Sequence, residues 1–148
     1  MYESLLTIHN FVRWFFLAAA VYAIFRAIRG MMGGTPFGKQ DKTAGTLLIA
    51  SAHSQLLLGL ILWFVSPVVQ QALTDVGMAM KDKMLRLTLL EHPLTMIIAI
   101  ALIQIGKIRA AKAYADADKH KRSLIFYGIG LLLVLSKIPW GSSPMFRF

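Results

Sequence analysis

From Thr43 to Thr74 the chain carries no Asp, Glu, Lys or Arg. That run exceeds the roughly 20 apolar residues an α-helix needs to cross a bilayer. Three further apolar runs accompany it. The first extends from Ser4 to Ala27 and is broken only by Arg13 and Arg26. Another lies between Arg86 and Lys107 and contains Glu91 and His92. The last begins after Arg122 and continues past Lys137 to about Trp140. None alternates with a period of two, and in lipid every backbone polar group must be satisfied within its own segment, so all four runs predict helices. The sequence thus predicts an all-α integral membrane protein with a single four-helix transmembrane domain over residues 1–148. Its helices are expected at about 3–28, 44–70, 84–107 and 121–140, from the apolar lengths alone.

The charges set the orientation. Sixteen Lys and Arg against seven Asp and Glu give a formal net charge of +9, yet only 16% of residues are charged. They cluster between the apolar runs, which excludes a disordered tail and argues against a nucleic-acid partner. The first connection with the end of helix one holds Arg26, Arg29, Lys39 and Lys42. The third holds Lys107, Arg109, Lys112, Lys119, Lys121 and Arg122. The second holds only Lys81, Lys83 and Arg86, and the tail adds Arg147. The positive-inside rule then places the first and third connections in the cytoplasm and both termini on the outer side. Gly33 to Pro36 is a turn signal, and short connections favour an up-down-up-down bundle. The start carries Glu3 and no Lys or Arg before Arg13, so no cleavable signal peptide is expected. With no cysteine, the chain has no disulfide framework and no thiolate metal site.

Polar residues inside such helices need a reason. They are His9 and Arg13 in helix one, His53 and Gln55 in helix two, Glu91 and His92 in helix three, and Lys137 in helix four. His120 falls in the charged third connection and is expected to be solvated. At about 1.5 Å per residue, His9 lies roughly 9 Å in from the outer side and His92 roughly 7–9 Å in from the same side. Helices one and three are diagonal in an up-down bundle, so two imidazoles at one level can ligate a planar cofactor from both faces; haem b is the natural candidate. Gly59 is about 10 Å deep on helix two and lets a macrocycle approach the backbone, and Gln55 shares its face. Arg13, Lys83, Arg86 and Lys137 are the cations available to haem propionates, and Glu91 can pair with the adjacent His92. His53 points roughly 160° away from Gln55 on a helix. It either faces outward, towards a partner subunit, or inward, where it would serve a second site for a haem, a quinone or a proton path.

Plainer readings stand beside these. Histidines can hold helices together, Arg13 can snorkel or pair with Glu91, and Gly59 can be a small helix-packing residue. Trp63 and Trp140 fit an interfacial belt. Met78, Met80 and Met84 in the second connection are thioethers suited to Cu(I), or simply one face of an interfacial turn.

The combination Ile8-His9 with Arg13, His53-Ser54-Gln55-Leu56-Leu57-Leu58-Gly59 with Ser66-Pro67, Glu91-His92, and Ile138-Pro139-Trp140 resembles a family of small four-helix membrane proteins of Bacteroidota labelled "cytochrome B". More distantly it is similar to the four-helix unit of haem A synthase and its cytochrome b relatives. There a His-Arg motif opens one helix, a Gln-x-Leu-Leu-Gly-type motif lies on the next, and a His opens the third. In order these fall on His9, on Gln55 to Gly59, and on His92. The resemblance implies His9 and His92 as the axial ligands of one haem b on the outer side. The chain departs from the synthase in having one four-helix unit, and in placing Arg13 four residues after His9 rather than next to it.

The expected function is therefore that of a haem b-binding membrane cytochrome serving electron transfer or haem handling in the respiratory chain. It is expected to be an electron carrier rather than a stand-alone enzyme, because two axial histidines leave no open iron position. Quinones, a respiratory or oxidase-assembly complex and a second copy of the chain are the expected partners. The alternative is a non-redox assembly or interaction subunit, or a copper- or zinc-binding protein.

Overall fold

The structure, a computed structural model, describes residues 1–140; Arg147 lies outside them. Its regular elements are all helical: α1 (Tyr2–Gly33), α2 (Lys39–Val65), α3 (Pro67–Thr74), α4 (Val76–Ala79), α5 (Lys83–Arg86), a π-helical turn (Leu87–Glu91), α6 (His92–Ala111) and α7 (Asp116–Lys137). Among the described residues, three segments are long and apolar enough to cross a membrane: Tyr2–Gly33, Lys39–Val65 and Lys83–Ala111. The first turns of α7 differ in carrying Asp116, Asp118, Lys119, Lys121 and Arg122.

The boundaries follow local chemistry. At the end of α1, Gly34 adopts φ 58°, a left-handed conformation that glycine reaches without steric cost. The amides of Gly34 and Thr35 both bond back to the Gly30 carbonyl, which closes the helix at the turn anticipated over Gly33 to Pro36. Asp41 then fixes the start of α2. Its Oδ2 accepts the Gly38 amide at 2.9 Å and its Oδ1 lies 3.0 Å from Arg26 Nη2. Arg26 is thus bonded to a buried carboxylate rather than merely lying in a charged loop. The helix expected over about 44–70 is divided at Ser66, which is extended ahead of Pro67. A residue before proline avoids the α region, and proline suits the first position of a new helix. Ser66 Oγ accepts the Val69 amide at 3.4 Å to cap α3.

Packing closes a ring. α1 lies against α2 and α7, and α6 lies against α7 and α2, so α1 and α6 face one another across the middle. The core is built from Phe16, Ala20 and Ala23 of α1, Ala44, Leu48, Ile49 and Ala52 of α2, Ala99, Ile100 and Ile103 of α6, and Tyr127 and Val134 of α7. Alanines and glycines let the helix axes approach: a Cβ on Gly130 would run into the Ile103 side chain, and one on Gly106 into Phe126. The outward faces carry exposed Phe11, Phe15, Val21 and Phe25 on α1 and Leu57, Ile61 and Phe64 on α2.

One expectation is overturned. His120 is not solvated: it is 1% exposed. Its ring packs where any Cβ on Gly30 would collide with it. The Nε2 atom lies 3.0 Å from the Thr35 carbonyl oxygen, and the Phe37 ring centroid is 5.1 Å away. The reason is that α7 begins at Asp116 rather than near 121. His120 then joins the buried stripe of Ser123, Tyr127, Gly130 and Val134 at alternating spacings of three and four.

Candidate functional site

Pro93 shapes the site from the sequence upward. It has no N–H to close an α-helical bond onto the Leu89 carbonyl. Immediately before it, Leu87–Glu91 forms a π-helical turn in which the His92 amide bonds to the Leu87 carbonyl. The freed Leu89 carbonyl accepts the indole Nε1–H of Trp63 at 3.0 Å, which ties α2 to the turn. Such π-turns recur at functional sites. Here the turn leads directly into His92.

His92 lies on a cavity of two adjoining lobes that share part of their lining. His9 and Arg13 of α1, Gly59 of α2, His92 and Pro93 of α6, and Ile138 line both. One lobe, of about 410 Å³, also touches Trp63, Ser66 and Met84. The other, of about 70 Å³, reaches inward to Phe16, Ala52, Gln55 and Ile100. Helices α1 and α6 thus present their histidines to one space from opposite sides of the ring.

The two imidazoles are held differently. His92 Nδ1 lies 2.8 Å from the backbone oxygen of Lys137. A carbonyl only accepts, so Nδ1 carries the proton and the Nε2 lone pair is left available as a donor to a metal. His9 Nδ1 and Gln55 Oε1 are buried with no hydrogen-bond partner. Orphaned polar atoms of this kind are costly and call for a ligand or an ordered water. Arg13 is 6% exposed, with its guanidinium carbon 5.6 Å from the Trp14 ring centroid and 5.8 Å from that of Trp140.

Gly59 faces His9: a Cβ there would sit 3.4 Å from His9 Cε1, an ordinary contact. Gly59→Ala is therefore expected to keep any cofactor bound. Gly59→Leu is expected to push the His9 ring aside and fill the cavity, so that any group held there would be largely absent from the purified protein by absorbance. Retention in the leucine variant equal to wild type would show that Gly59 does not abut the bound group.

The remaining site residues are placed apart from the cavity wall. Arg86 Nε and Lys137 Nζ each lie 2.7 Å from Glu91, on its Oε1 and Oε2 respectively. Glu91 is thus engaged by two cations and not by His92, and Arg86 and Lys137 are held by a carboxylate. Arg86 Nη1 also donates to the Met80 carbonyl at 2.9 Å. His53 is exposed on α2, on the other side of the helix from Gln55 and Gly59. His53→Ala is expected to leave the content of any group held in the cavity at wild-type level, and full loss of such a group in that variant would reverse the assignment of helix faces. Met78 and Met84 are exposed, and Met84 alone of the two borders the cavity. What the residue reading missed is the role of backbone: the Leu89 carbonyl freed by Pro93 and the Lys137 carbonyl at the end of α7. Pro93 was the available signal for the first, since it removes the amide that would otherwise satisfy the Leu89 carbonyl; Pro139 marks only the end of α7, where the last carbonyls have no intrahelical donor.

Comparison of the chain with models of protein families, with curated proteins and with solved structures finds no match.

Proposed function

We propose that the protein is a haem b-binding membrane cytochrome. The observation that supports this reading best is the pair His9 and His92, which line one cavity from α1 and α6, with a buried unpartnered nitrogen on the first ring and a backbone-fixed tautomer on the second. Haem b needs only two protein ligands. A bare zinc or copper ion draws on three or four donors, and among the described residues no group of three His, Cys, Asp or Glu is gathered to hold one.

In this reading His9 and His92 hold the iron, and Gln55 and Arg13 supply polar contacts at the edge of the group. Phe16, Met96, Ile100 and Val134 form an apolar wall that keeps water away. The bound group would supply a one-electron centre whose axial positions are both taken, which favours electron transfer over oxygen chemistry. The proposed topology has α1, α2, α6 and α7 crossing a bacterial inner membrane in alternating directions, with both termini outside, following the loop cations. Quinones or a respiratory or oxidase-assembly complex would exchange electrons with such a centre. The resemblance to the "cytochrome B"-labelled proteins points the same way.

An optical spectrum of the detergent-purified protein tests the proposal. A Soret band, with sharp α and β bands on reduction, is expected. No Soret band after expression with ample haem, together with bound copper or zinc, would replace it with the metal-ion alternative.

A further inference from the structure

The Glu91 carboxylate lies beside His92 in sequence but acts at a distance in the fold. Its Oε2 accepts Lys137 Nζ at 2.7 Å and its Oε1 accepts Arg86 Nε at 2.7 Å. Lys137 is the last residue of α7, and Ile138 after it is extended, leading into Pro139. The final carbonyls of a helix have no intrahelical donor and carry the negative end of its dipole. The Lys137 carbonyl is one of them, and His92 Nδ1 lies 2.8 Å from it. A single residue thus offers its ammonium to Glu91 and its carbonyl to His92, while Glu91 and His92 are themselves adjacent in the chain.

We infer that Glu91 is a positioning residue for His92: by holding the Lys137 side chain it fixes the frayable end of α7, so that the Lys137 carbonyl keeps the His92 imidazole in its Nδ1–H form with Nε2 free to bind. An outer-shell acceptor of this kind fixes the orientation of a ligating histidine and raises its basicity. The inference rests on the proposed role of His92 as a ligand only for its purpose. The hydrogen bond itself can be observed whether or not a haem is present.

The test is NMR of the full-length protein, ¹⁵N-labelled at histidine, purified in detergent and reduced with dithionite. Wild type should show one His92 ring resonance of the Nδ1–H form, protected from exchange with water. Glu91→Gln and Lys137→Met should each speed that exchange at least tenfold, and the double variant no more than either alone, because both cut the same link. Lys137→Met retains the carbonyl and the Glu91–Arg86 pair, so it decides the matter if Glu91→Gln does not fold. Wild-type protection in the folded Lys137→Met variant would overturn the inference, as would a wild-type His92 in the Nε2–H form. If wild type carries no pigment but the ring signal responds as expected, the haem reading fails and the positioning role stands. Pigment with an unresponsive ring signal gives the reverse.

Discussion

Alanine in place of His9, and separately in place of His92, is expected to leave the purified protein without a Soret band. Each ring would supply one of the protein's two bonds to iron, and no third imidazole lies on the cavity wall. Beside the two histidines, the polar groups on the inner lobe are Arg13 and Gln55, and neither an arginine nor an amide replaces an imidazole on iron; the Met96 thioether there is a weaker ligand that would give a different absorbance spectrum. The fold should survive both substitutions, because neither ring belongs to the packed core of Phe16, Leu48, Ile103 and Tyr127. Circular dichroism should therefore match wild type while pigment is lost. Full pigment in both single variants would remove the two histidines from the site.

His120→Ala should do the opposite. The ring is almost wholly buried, fills the space left by Gly30 and meets the Thr35 carbonyl. Truncation removes a packed aromatic group and leaves that carbonyl without its partner, at a cost of about 2–4 kcal/mol. Thermal unfolding in detergent should shift clearly downward, with the absorbance spectrum of the folded protein unchanged, since His120 lies on neither lobe of the cavity. A thermal midpoint equal to wild type would mean that the site relaxes around the missing ring. Loss of pigment from protein that is still folded would mean that the loop-side packing reaches the cavity.

The helical character was legible because apolar length is a strong signal in a bilayer protein. The placement of His9, Arg13, Gln55, Gly59 and His92 around one space follows from counting residues from helix ends, a method that works where helices are straight and their ends are marked. It fails where ends are set by capping. The expected start near 121 ignored the capacity of Asp116 to Arg122 to form charged helical turns, and so left His120 in solvent. The partners of the cations near the cavity were not legible, because pairing depends on side-chain reach, which spacing does not give. Glu91 meets Lys137 across 46 positions, a contact made only by tertiary packing. Pro93 was visible in the sequence, but the turn it imposes depends on Trp63 arriving from another helix to take the released carbonyl.

The connectivity has a consequence for assembly. His9 belongs to the α1–α2 pair and His92 to the α6–α7 pair, so neither half of the chain owns the site. A group bound by both rings would act as a rivet between two halves that otherwise meet through α1 with α7 and α2 with α6. The joining of the two pairs rests on that packing, and loading would then fasten together halves that already meet. By mass action, a group bound across the seam would resist the parting of the halves in proportion to its supply.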